Sequence, residues 1–139
     1  MGLDMYLKKV TLIKGEKPES ILEEQKVQRL MEDVMYWRKA YAIMDWFETN
    51  IGQRYVFDEN FRIHNCALYA FSKDDLERLK LWCERFVINP DLALDEIRVR
   101  WYEERWREYE ISQCEKTIKE IENLIKDESI DYFMFHGWW

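Results

Sequence analysis

Tyr36-Trp37-Arg38-Lys39-Ala40-Tyr41-Ala42-Ile43-Met44-Asp45-Trp46-Phe47 is the stretch that most limits how this chain can fold. Val34, Trp37, Tyr41 and Met44 recur at helical spacing, and Tyr36, Ala40, Ile43 and Phe47 repeat the pattern beside them. The two stripes make an apolar arc wider than one helix face, and so predict a single helix packed on two sides. Arg38, Lys39 and Asp45 fall outside most of that arc, and Asn50 and Gly52 supply a stop. A helix of this kind needs a sheet or further helices to cover it.

The rest of the chain offers both. Leu3, Met5 and Leu7 alternate with Asp4, Tyr6 and Lys8, which is strand periodicity, continued through Val10, Leu12 and Ile13. Lys14 to Pro18 reads as a turn, and Ser20 with Glu23 as a capping box opening a polar helical stretch, Ile21 to Glu32. Tyr55 to Phe57, Phe61 to Ile63 and Ala67 to Phe71 read as short strands. Ser72, with Asp75 three residues on, caps a helix whose buried stripe is Leu76, Leu79, Cys83 and Phe86, ended by Asn89-Pro90. A strand or irregular piece is expected at 96–102, a helix at about 103–127 carrying Ile111, Cys114, Ile118, Ile121 and Ile125, and a strand from Ile130 to Phe135. The fold class is α+β: one domain, 1–139, with an antiparallel sheet and about three helices packed mainly on one face.

Composition narrows the partners. A net charge of −7 argues against a protein that grips a nucleic-acid backbone, which needs a basic footprint. Seven tryptophans mean an aromatic core or a surface that holds something flat. Cys66, Cys83 and Cys114 are odd in number and form no C-x-x-C, and the N-terminus has no apolar leader. No run of the chain approaches a membrane span. These features predict a reducing, cytoplasmic setting without a membrane. Met1-Gly2 is not read as a myristoylation start, because Tyr6 stands where Ser or Thr belongs.

The opening Met1-Gly2-Leu3-Asp4-Met5-Tyr6-Leu7, the segment Tyr36-Trp37-Arg38-Lys39-Ala40 with Ala42-Ile43 and Trp46-Phe47, and the closing Trp138-Trp139 resemble a family of small uncharacterised proteins of bacteriophages and prophage-rich bacterial genomes. The Tyr69-to-Val87 segment, with Ser72, Leu76, Leu79 and Cys83, and the last helix around Thr117-Ile118 resemble the same pattern. Two departures stand out. Tyr41 and Met44 occupy positions where the family often has Asn and His, and Ile97 to Arg107 replaces an aromatic-glycine hairpin. The resemblance implies a phage context, and hence the host cytoplasm, more than it implies a chemistry.

Catalytic signatures are missing from the sequence. There is no Walker loop, no G-x-G-x-x-G and no H-E-x-x-H, and the four glycines leave little for a phosphate-cradling loop. His64, Cys66 and Cys83 match no standard zinc spacing, so no metal and no cofactor is expected. The acidic pairs Glu23/Glu24, Asp74/Asp75 and Glu103/Glu104 read as solvated helix faces or first turns, and no catalytic residue is assigned.

The candidate ligand residues are Asp4, Tyr36, Trp37, Arg38, Lys39, His136, Trp138 and Trp139. Arg38 is either the partner of Asp4 in a structural ion pair or, with Lys39, an anion clamp flanked by stacking rings. Trp138 and Trp139 are either a plug that seals the core or one wall of a pocket. Three functions follow: a non-catalytic phage accessory protein that counters host defence by binding a nucleotide-like anionic signal or a host protein, an interaction or structural module, or an enzyme on a nucleotide or phosphorylated substrate. A homo-oligomer is compatible with all three. Cysteine spacing generates a direct test: protein purified without chelator is expected to carry no stoichiometric zinc on elemental analysis.

Overall fold

The computed structural model describes residues 2–12, 29–52, 63 and 65–139. Among them are four strands, β1 (Asp4–Leu12), β2 (Arg29–Arg38), β3 (Leu68–Phe71) and β4 (Tyr132–Trp138). Four α-helices accompany them: α1 (Tyr41–Phe47), α2 (Lys73–Ile88), α3 (Pro90–Asp95) and α4 (Arg107–Ile125). The strands form one antiparallel sheet in the order β2-β1-β4-β3, so the α+β architecture is as the sequence predicts.

The stretch read as one helix is split. Tyr36, Trp37 and Arg38 finish β2, Lys39 turns the chain with a φ of 53°, and helix begins only at Tyr41. Met35 and Trp37 are buried while Tyr36 and Arg38 are exposed, the period of two that a half-buried strand requires. Lys39 N–H donates to Leu3 O at 2.6 Å, which ends the β1–β2 ladder where the turn begins. A positive φ is uncommon outside glycine, and it lets strand pass into helix here within two residues. Arg29 to Glu32, expected in a helix, also belong to β2. The expected turn at 14–18, the Ser20 cap and most of the 55–63 strands lie outside the described residues.

Elsewhere local signals hold. Ser72 and Asp75 form a reciprocal capping box at the start of α2. Asn89 ends α2 and caps α3, with Pro90 at the first helical position. Residues 96–103 are irregular, a short 3-10 turn covers Glu104–Trp106, and α4 then runs to Ile125. β4 continues past the expected Phe135 to Trp138.

The core lies between the helices and the sheet face carrying Met5, Leu7, Met35, Trp37, Tyr69, Phe71, Phe133 and Phe135. Phe47 of α1 is its aromatic centre. It stacks on Phe135 at 3.9 Å between ring centroids and meets Trp37, Trp46 and Phe71 edge-on. Trp37 Nε1–H donates to Thr117 Oγ1 at 2.8 Å, fastening β2 to α4. Along the outer side of β2, Lys116 Nζ of α4 donates to Tyr36 O at 3.3 Å, and the Tyr109 hydroxyl of α4 donates to Arg38 O. No helix among the described residues is long and apolar enough to cross a membrane.

Trp37 has no exposed surface, so its removal opens a cavity beneath the sheet and leaves α4 without its bond to β2. Trp37→Ala is expected to destabilise the fold by about 3–5 kcal/mol, measured by denaturant titration. A loss below about 1 kcal/mol would mean that the ring is not packed as described.

Candidate functional site

Strand pairing brings five of the eight sequence candidates onto the sheet face opposite the helices. Asp4 stands opposite Arg38 on one side and Trp138 on the other. Tyr6 stands between Tyr36 and His136 in the next row out. The register shift between Leu7 and Lys8 leaves Val34 as an extra residue on β2 and sets Asp33 opposite Lys8. Lys8 and Asp33 then form an ion pair at 2.5 Å.

The rings of this face touch. Tyr6 lies 5.2 Å from Tyr36 and 6.0 Å from His136, centroid to centroid. A shallow groove of about 550 Å³ is lined by Tyr6, Lys8, Asp33, Cys66, His136 and Trp138. Its border is apolar and open: Trp138 is 54% exposed, Leu68 44% and Tyr36 39%. Burial, and then the nearby Lys8 ammonium, lower the pKa of His136 from its ordinary value, so the imidazole is neutral at pH 7.

The expected Asp4–Arg38 ion pair does not form among the described residues. Asp4 accepts a hydrogen bond from the Tyr36 hydroxyl instead, and that bond, with burial second, raises the pKa of Tyr36. The Asp4 carboxylate is thus taken by the diagonal neighbour, and the Arg38 guanidinium has no partner among the described residues.

The other three candidates go elsewhere. Trp37 is in the core. Lys39 sits at the turn between β2 and α1. Trp139 packs edge-on against Trp101 at 5.3 Å, and its backbone exchanges two hydrogen bonds with the Asn65 side chain, at 3.0 and 2.8 Å. The two terminal tryptophans therefore separate: Trp139 joins the core margin as the plug expectation has it, while Trp138 faces out. Gly137 between them is closely packed: a Cβ there would lie 3.1 Å from the Trp139 ring.

Among the described residues the cysteines and His136 make no nucleophile–base pair. Cys66 and His136 share the groove, but the Cys66 thiol donates to Asn65 Oδ1 at 3.4 Å and not to the imidazole. Cys83 is remote from that groove, buried in α2 beside Cys114, whose thiol pKa is pushed up chiefly by burial. His64 lies outside the described residues.

Sequence reasoning missed the buried carboxylates. Asp45, placed outside the apolar arc, is fully buried, and so is Glu110. Asp45 Oδ1 accepts the backbone N–H groups of Arg100 and Trp101 at 2.9 and 2.8 Å, and Oδ2 accepts that of Tyr102 at 2.9 Å. Glu48 takes the Trp101 indole N–H, the Arg100 guanidinium at 3.1 Å and the Ile63 N–H at 3.1 Å. Glu110 caps α1 from a distance in sequence, accepting Tyr41 N–H at 2.8 Å and Ala42 N–H at 3.1 Å. Ala40, at the cap position, has no side-chain acceptor to do this. Acids lifted toward neutrality often mark acid–base catalysis. Here Asp45 and Glu110 are enclosed and held by backbone donors, an arrangement that serves the fold. An acidic residue inside an apolar run was the available signal.

No protein-family profile, curated protein or solved structure matches the chain.

Desolvation outweighs the hydrogen bonds at Asp45 and Glu110, and lifts both to about 7 from 3.8 and 4.5. Between their ordinary values and about 7 the native state holds protons that the unfolded chain has released, so these groups lose stability as pH rises through that window. His136, with its lowered pKa, acts in the opposite sense below its ordinary 6.5. The clean comparison is therefore from about pH 8 down to about pH 6.5. The melting temperature is expected to rise over that interval, and an unchanged value would show that both carboxylates are ionised throughout.

Proposed function

We propose that this protein is a non-catalytic accessory protein of the phage-encoded kind implied by the resemblance, and that it counters host defence by covering a host protein with the open face of its sheet. The observation that supports this is the convergence of Asp4, Tyr36, Arg38, His136 and Trp138 on that face. Tyr, Trp and Arg are the residue types that carry most binding energy at protein interfaces. The groove is shallow and its rim apolar, a shape that suits a protruding side chain better than an enclosed metabolite. Arg38 sets the partner's chemistry: a carboxylate for a guanidinium that has no partner among the described residues, beside an apolar side chain seated against Trp138 and Tyr6. Among the described residues the Cys66 thiol bonds Asn65 and not His136, and the raised-pKa carboxylates are enclosed; both favour binding over catalysis.

The test is protection of a defence-sensitive phage in host cells expressing the protein. Arg38→Glu and Trp138→Ala each replace an exposed side chain, so both variants are expected to melt as wild type does. Loss of a central interface residue costs about 2 kcal/mol or more, roughly thirtyfold in affinity, and protection is expected to fall accordingly. Full protection by both folded variants would remove the sheet face as the binding surface.

A further inference from the structure

Arg100-Trp101 and Arg105-Trp106 repeat one dipeptide within a single irregular stretch. In the fold each guanidinium lies over the ring that follows it, with Cζ 5.1 Å from the ring centroid in both cases. Both pairs line a cleft of about 410 Å³ that Tyr41 and Trp139 also wall. That volume is within the range of small-molecule sites, roughly 300–1,000 Å³. None of these six residues lines the groove on the open face of the sheet.

Two properties select the ligand. The first is ring surface: three indoles and a phenol border one small space, which favours a planar aromatic guest. The second is charge. A guanidinium stacked on an indole has its plane fixed and its N–H edges left for an acceptor. Arg100 donates Nη1–H to Glu48 at 3.1 Å, and Arg105 Nε forms an ion pair at 2.6 Å with Glu103, which also lines the cleft. The other N–H groups of both have no partner among the described residues. An aromatic cage built for a cation would not place two guanidinium groups at its wall. A bare anion would leave the rings without a role.

We propose that this cleft binds a nucleotide, with the base stacked among the indoles and the phosphate held by Arg105 and Arg100. The stretch that carries both dipeptides is set before any ligand arrives, because Asp45 holds the backbone of residues 100–102 and Glu48 holds the Trp101 indole and Arg100. Such preorganisation lowers the ordering cost of binding. The cleft acts independently of the sheet-face partner.

Arg105 is the residue to change. Its side chain is 70% exposed and its carboxylate partner Glu103 is 57% exposed, so substitution leaves the fold intact. Arg100 also neutralises buried Glu48, and its loss would disturb packing. Nucleoside 5′-monophosphates and cyclic dinucleotides are titrated by calorimetry and by tryptophan emission. At least one is expected to bind saturably with quenching, and the matching nucleoside to bind about tenfold more weakly or worse, for loss of a charged hydrogen bond. Arg105→Gln is expected to weaken binding about tenfold without changing the melting temperature, and Arg105→Lys to restore only part. Trp138→Ala, on the sheet face, is expected to bind nucleotide as wild type does. The proposal is overturned if no member of the panel binds at millimolar concentration, or if Arg105→Gln binds equally well. It also fails if inorganic phosphate or the nucleoside alone binds as tightly as the nucleotide.

Discussion

One buried carboxylate sets the irregular half of this molecule. Residues 100–102 run in neither helix nor sheet, so their amides need acceptors from elsewhere, and Asp45 supplies them from α1. A buried N–H left without a partner costs on the order of 1–3 kcal/mol, and three would exceed what most single contacts return. Glu48 and Glu110 extend the principle, the first to the Trp101 side chain and the second to the open N-terminus of α1. The α1 segment is therefore a hub: its aromatic residues hold the sheet, and its acidic residues hold the chain that leads into α4.

Much of the fold was legible in the sequence where a local signal is sufficient. Ser72 and Asp75 announce α2, and the stripe of Cys114 and Ile121 announces α4, because caps and helical periodicity act within a few residues. The segment 36–47 was not legible for a definite reason. Met35 and Trp37 fit the inward positions of a strand, yet Trp37 also fits the helical stripe with Tyr41 and Met44. What separates the two is the left-handed backbone at Lys39, and a lysine side chain gives no notice of it. Asp45 was misplaced for a related reason: its burial answers amides 55 residues away and more, a demand that no local pattern contains.

The candidate site was picked out for its residues but not for its geometry. Asp4, Tyr36, Arg38, His136 and Trp138 are chemically conspicuous, and they meet because paired strands place alternate residues on a common face. The Arg-Trp repeat was visible as well. Its interleaved glutamates directed attention to local ion pairs, which do form at Arg105–Glu103 and Arg107–Glu104. Those pairs leave part of the Arg105 guanidinium open, and only the fold reveals the rings around it. In a chain of net charge −7, the open part of the Arg105 guanidinium is a local feature, and it lies over the Trp106 ring.

The caps along β2 bear on how this molecule behaves in a crowd. An outermost strand offers its carbonyls and amides as a template for any extended chain, and proteins that leave such a row bare invite cross-strand pairing and fibre growth. Near its C-terminal end β2 does not leave it bare: Lys116 and Tyr109 already sit on the carbonyls of Tyr36 and Arg38. An incoming strand would have to displace an ammonium and a phenol before its first hydrogen bond, and would bring its own backbone against α4. The helix that closes the core thus also guards that margin of the sheet, and sets a barrier against copies of an aromatic-rich chain zipping together along that border.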